Sequence, residues 1–144
     1  MVKQHRREMR IGLDLHKVID AHPALFRELS ERWVEAGHEV HIVTGETWCN
    51  AELSVVEAGV QYTHFFSIVD HHTAKGTDMW STDGGPWMDA SVWDSTKGLY
   101  ARQVGLHIHF DDTERYAEYF PNTCSFVLVG EDFENIYREI LMPS

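Results

Sequence analysis

The feature that most restricts the fold of this chain is an alternation. Short apolar runs, which suit buried strands, are separated by longer stretches in which apolar residues return every three or four positions, which suits helices. The runs are residues 9–15 (MRIGLDL), Glu39–Val43, Gln61–Val69, Leu106–Phe110 and Cys124–Val129. After the first run, Pro23 marks a helix start, since proline is tolerated in a first turn, and Leu25, Leu29 and Trp33 carry the helical period as far as Gly37. Further helices are predicted over Trp48–Ala58 (stopped by Gly59), Ser91–Val104 (carrying Val92, Leu99 and Tyr100, closed by Gly105), Thr113–Phe120 and Asp132–Leu141. Strands that alternate with helices pair in parallel through right-handed crossovers, so the expected fold is α/β: a doubly wound parallel sheet in three layers.

One stretch breaks the rhythm. Residues 70–90 carry a Gly-Gly-Pro turn signal, many polar residues, Trp80 and Trp87, and read as a long loop or small insert. With Trp93 just beyond, these tryptophans could stack on a planar group; a loop packed on itself is the simpler reading.

A chain of 144 residues holds one domain with one core, and its 43% apolar and 12% aromatic content suits a packed globule. The formal net charge of -11 argues against an extended nucleic-acid or anionic-membrane surface, because both depend on Lys and Arg neutralising phosphates. No apolar run approaches membrane-spanning length, and the N-terminal MVKQHRREMR lacks the apolar core of a secretory signal, so a soluble cytoplasmic protein is expected. Cys49 and Cys124 follow no ligand or redox spacing. His71-His72 and His107/His109 invite a transition-metal reading, but no soft donor gathers near them in sequence.

In doubly wound sheets, ligands sit at the carboxyl ends of the strands, where strand order reverses. Those ends here are polar: Asp14 ends the first run, Thr44 follows the second, Asp111 and Asp112 follow the fourth, and Lys97 lies in the helix before that fourth run. Three carboxylates at one edge repel and raise one another's pKa unless a cation joins them. All-oxygen ligands favour magnesium over zinc, and Lys97 with the Thr44 hydroxyl would suit a phosphate.

The stretches IGLDLHKVID, HIVTG, STKG and HIHFDD resemble, in order, the four motifs of the haloacid dehalogenase-like superfamily, and the likeness runs from Arg10 to Gly130. The resemblance implies the same doubly wound sheet, with strand order 3-2-1-4-5. It implies that Asp14 is the nucleophile, forms an aspartyl-phosphate and binds Mg2+. The backbone carbonyl of His16 would be a second metal ligand. Asp111 and Asp112 would complete the metal site, Thr44 would bond a phosphoryl oxygen, and Lys97 would orient Asp14 and the phosphate.

The chain departs from the family pattern at two positions. His16 stands where family phosphatases carry a general-acid aspartate, and Lys17 stands where they carry a small glycine. Histidine can shuttle protons, so the expected function is magnesium-dependent hydrolysis or transfer of a phosphoryl group from a small phosphomonoester, with nucleotides the preferred class. The alternative is a binding protein of the same fold in which His16 has removed turnover. A phosphoacceptor receiver domain fits less well, because its acidic pair follows strand one.

Overall fold

A computed structural model describes residues 7–81 and 85–141. Five strands form one sheet of order β3-β2-β1-β4-β5: β1 Arg10–Leu13, β2 Glu39–Thr44, β3 His64–Ser67, β4 Ile108–Asp111 and β5 Ser125–Leu128. Every pairing is parallel, with Gly12 level with His41 on one side and His109 on the other. The helices are α1 Pro23–Glu35, α2 Trp48–Ala58, α3 Ile68–Lys75, α4 Ala90–Val104 and α5 Phe133–Leu141, with a short 3-10 helix at Glu114–Tyr119. The expected fold class and strand order are what the structure has. Among the described residues, no helix is long and apolar enough to cross a membrane.

The two faces of the sheet bury different things. Ile11, Leu13, Val40, Ile42 and Phe110 join Leu25, Phe26 and Leu29 of α1 and Ala51, Val55 and Ala58 of α2 in the larger apolar core. Strand residues alternate between faces, so Gly12, His41 and His109 look the other way, toward α4. There the core is smaller, built on Val43, Ala101, Leu106, Tyr116 and Phe120. The order of the strands reverses between β1 and β4, which opens a crevice at the carboxyl ends of those two strands.

Three expectations need correction. The third strand is only His64–Ser67, because the Ser67 hydroxyl accepts the Asp70 N–H at 3.0 Å and caps a helix that takes up Ile68 and Val69. The predicted insert at 70–90 therefore begins with most of α3, which ends at Gly76 with φ 78°. Beyond it, Trp80 and Trp87 exchange backbone hydrogen bonds at 2.9 and 2.7 Å, and Thr82, Asp83 and Gly84 lie outside the described residues. Finally, Leu99 is 58% exposed; α4 buries Thr96, Lys97, Gly98 and Ala101 instead.

Candidate active site

Asp14 continues the ladder past the end of β1, its N–H donating to the Phe110 carbonyl at 3.0 Å. The chain then enters a wide helical turn, Leu15–Ile19, and the Asp14 Oδ1 caps it by accepting the Leu15 N–H at 2.9 Å. Asp111 ends β4 next door. Lys97 reaches both from α4, its Nζ 3.0 Å from Asp14 Oδ1 and 2.8 Å from Asp111 Oδ2. All three side chains are buried. Beneath them His109 Nε2 lies 2.9 Å from the same Asp111 Oδ2, so that nitrogen carries the hydrogen, and the Thr113 N–H donates to Asp111 Oδ1 at 3.1 Å.

Two buried carboxylates share one ammonium, and they respond in opposite directions. Burial pushes the Asp14 carboxyl up to about 7, against the pull of Lys97 and with a further push from Asp111. Burial acts the same way on Asp111, but the His109 hydrogen bond and the Lys97 charge hold it well below the usual carboxylate range. The difference follows from the donor count: Asp111 takes Lys97, His109 and the Thr113 amide, whereas Asp14 takes Lys97 and one amide. Of the two, Asp111 holds its negative charge more firmly. Burial works against the Lys97 ammonium, yet Asp14 and Asp111 hold it well above the ordinary lysine range. Burial keeps the His109 imidazole below its usual value against the pull of Asp111, and its Nδ1 has no hydrogen-bond partner among the described residues.

These groups open onto a cavity of about 500 Å3 whose lining includes Asp14, His16, Lys17, Thr44, Lys97 and Asp112. The structure thus gathers every residue expected at the site, with one distinction inside the acidic pair. Asp112 lines the cavity, and its side chain accepts from the Thr113 hydroxyl at 3.2 Å. Asp111 lies behind it with both oxygens engaged. Asp14, Asp111 and Asp112 still offer oxygens within 4.8 Å of one another. Three hard oxygen donors this close, with one ammonium shared by two of them, fit a divalent cation. Thr44 is buried at the end of β2, its hydroxyl accepting the Glu46 N–H at 3.2 Å.

His16 sits at the mouth of the cavity. Its Nδ1 is 3.1 Å from Asp20 Oδ2 and its Nε2 3.6 Å from Glu46 Oε2. Partial burial alone would lower the imidazole, but Asp20 first, then Asp14 and Glu46, raise it above its usual value. Neither Asp20 nor Glu46 announces itself in the sequence; the signal that finds them is spacing, since Asp20 lies one helical turn after His16 and Glu46 two residues after Thr44. Trp93 is also part of the wall: its indole Nε1 donates to the Tyr116 hydroxyl at 2.8 Å, and a β-carbon on Gly45 would stand 2.6 Å from its ring. Tyr116 closes the wall and carries no sequence signal of its own.

The histidine pairs do other work. His107 Nδ1 accepts the Arg10 N–H, while His72 bonds the Thr77 and Thr96 hydroxyls. Among the described residues, neither pair joins a group of three possible metal ligands. No protein-family model matches the chain, and no curated protein matches it either.

Proposed function

We propose that the chain is a magnesium-dependent phosphomonoester hydrolase of the haloacid dehalogenase-like type. The observation that carries this reading is the buried Lys97 bridging Asp14 and Asp111 at the carboxyl ends of β1 and β4, beneath a cavity that Thr44 and Asp112 also line. Asp14 Oδ1 is taken by Lys97 and the Leu15 amide, which leaves Oδ2 for in-line attack on phosphorus. Its attack forms an aspartyl-phosphate as the bond to the leaving oxygen breaks, and His16 donates its proton to that oxygen. Water then attacks the phosphorus, giving its proton to His16 and releasing inorganic phosphate from a regenerated Asp14. The flanking Asp20 and Glu46 favour the protonated His16 that the first of these steps uses.

Magnesium held by Asp14 and Asp112, with the His16 carbonyl and with Asp111 behind them, would cancel the charge between an anionic nucleophile and an anionic phosphate. Thr44 and Lys97 hold the phosphoryl oxygens, Lys97 also keeping Asp14 in register. A nucleotide is the preferred substrate class because a second hollow of about 410 Å3, lined by Trp87 and Met88, shares Pro86 and Trp93 with the main cavity. A base leaving the scissile phosphate would find planar partners there.

The test is phosphate release from nucleotides, sugar phosphates and an aryl phosphate, with magnesium or with chelator, by wild type and Asp14→Asn. Release that needs magnesium and falls at least about 1,000-fold in Asp14→Asn is expected. No release from any substrate, with magnesium still bound, would sink the hydrolase and leave a binding protein of this fold.

A further inference from the structure

The turn after Asp14 holds a conformation that its side chain disfavours. Lys17 has φ 61° and ψ 8°, the only non-glycine residue at positive φ among the described residues. Its β-carbon is crowded there by the following carbonyl, a cost that glycine escapes. Elsewhere this chain uses glycine where it needs that geometry, at Gly37, Gly59, Gly76 and Gly105. What the turn itself requires at position 17 is backbone: the Lys17 N–H donates to Asp20 Oδ1 at 2.6 Å, and the Asp20 N–H to the Leu15 carbonyl at 3.0 Å. Glycine would make both bonds without the strain. The turn therefore gains nothing from the lysine side chain, and the strain points to use of that side chain elsewhere.

Its position says where. Lys17 is exposed and lines the main cavity beside Asp14 and Asp112. Lys97, the other lysine in that lining, is committed to Asp14 and Asp111, whereas Lys17 makes no ion pair among the described residues. Lys17 also borders a smaller hollow, but there, among the described residues, it is the one cation in a lining that includes Asp112 and Glu131, whereas in the main cavity Lys97 stands with it. The main cavity is the side on which its ammonium can be used. In a protein of net charge -11, a local cation is what draws in and places an anionic ligand.

We propose that Lys17 is a specificity residue that binds a second anionic group of the substrate, a carboxylate or a further phosphate, while the scissile phosphate sits at Asp14. The inference rests on the phosphomonoester reading above, and it narrows the substrate class to phosphomonoesters with two anionic groups.

Two pairs of compounds test it, each differing by one anion: glycerol 3-phosphate against 3-phosphoglycerate, and a nucleoside 5′-monophosphate against the 3′,5′-bisphosphate. Wild type should prefer the doubly anionic member of one pair in kcat/KM, and which pair identifies carboxylate or phosphate. Lys17→Met keeps the strained backbone and removes the charge; it should lower that preference about fivefold, and Lys17→Arg should restore it. Lys17→Gly should lower it equally while keeping the thermal midpoint at or above wild type, a combination that a merely structural lysine cannot produce. No preference in wild type, or the same preference in Lys17→Met, overturns the proposal. If wild type releases no phosphate from any compound, the hydrolase reading has failed, and the same pairs are then compared by calorimetric binding with magnesium. A binding preference lost in Lys17→Met upholds the role of Lys17, and equal affinities overturn it.

Discussion

Each end of the sheet gathers ionisable side chains, and the two ends treat charge differently. At the carboxyl edge, Asp14, Asp111 and Asp112 cluster around one buried ammonium that Asp14 and Asp111 hold, and Asp14 and Asp112 line a cavity. At the amino edge, Glu39, His41 and His64 bring possible ligand atoms within the same 4.8 Å of one another. There, however, every charge has a local answer: His41 Nε2 lies 2.8 Å from Glu39 Oε1 and its Nδ1 2.6 Å from the Tyr100 hydroxyl, while His64 Nδ1 lies 2.8 Å from the Thr63 hydroxyl. The His41 and His64 rings are stacked at 4.2 Å and 6°, and two parallel imidazoles cannot both aim a ring nitrogen at one ion. Proximity of ligand-type residues is common to the two ends. Surplus negative charge over a buried cation, open to a cavity, belongs to one of them, and that surplus marks the chemistry.

The strongest way to break this comparison is to remove the cation. Lys97→Met leaves two buried carboxylates unpaired, and taking one partner out of a buried ion pair costs about 3–5 kcal/mol. Because Asp14 can take up a proton to relieve the loss, denaturant unfolding should show a larger deficit at pH 8 than at pH 5. A variant as stable as wild type at pH 8 would mean that the two carboxylates do not depend on Lys97.

A smaller effect is expected beneath the site. A β-carbon on Gly12 would stand 2.5 Å from His109 Nδ1 and 2.8 Å from the Leu106 side chain. Gly12→Ala should therefore cost about 1–3 kcal/mol as His109 is displaced, and activity should fall with it because His109 holds Asp111. A Gly12→Ala protein of unchanged activity would separate His109 from the site.

Much of this was legible in the sequence and some of it was not, for physical reasons. The alternation of apolar runs and helical periods, with glycines at the helix ends, was enough to expect the parallel sheet, and Asp14, Thr44, Asp111 and Asp112 were found as strand ends. Lys97 was found as a motif residue, but the face of α4 that it shares with Thr96 was missed. That face is buried because it carries the site, so the apolar Leu99 lies outside and the polar residues inside, the reverse of what hydrophobic periodicity assumes. The extent of β3 was missed because one hydroxyl, Ser67, decides where strand becomes helix. The partition of roles between Asp111 and Asp112 depends on three donors from separate elements. Sequence spacing does not show such convergence.

Asp14 at the carboxyl edge and His41 at the amino edge carry opposite pH signatures. The Asp14 carboxyl is raised from 3.8 to about 7, so its contribution favours the fold at low pH and is lost as pH rises through about 7. His41 is held below 6.5 chiefly by burial, so its contribution is present above 6.5 and is lost as pH falls. His72 and His109 act in the same direction as His41. With chelator present, the stability gained by Asp14→Asn should grow from pH 4 to about pH 7, by up to about 1.4 kcal/mol per pH unit, and level off above it. The acid loss below pH 6.5 should remain in that variant. A gain from Asp14→Asn that does not vary with pH would contradict the charge assignment at the carboxyl edge.

The smallest effect bears on whether the two ends act separately. Tyr100→Phe leaves His41 Nδ1 without its partner and keeps the aromatic ring on Phe66, 4.2 Å away, so the loss should be about 1 kcal/mol. Phosphate release should stay within about twofold of wild type, since neither Tyr100 nor His41 lines the main cavity. Yet His41, Gly12 and His109 occupy one row across the sheet, and His109 is hydrogen-bonded to Asp111. A larger fall in activity would therefore mean that a displaced His41 is felt through Gly12 at His109. In that case the amino-edge histidines support the site from beneath, and the contrast in charge between the ends describes two parts of one buried polar row.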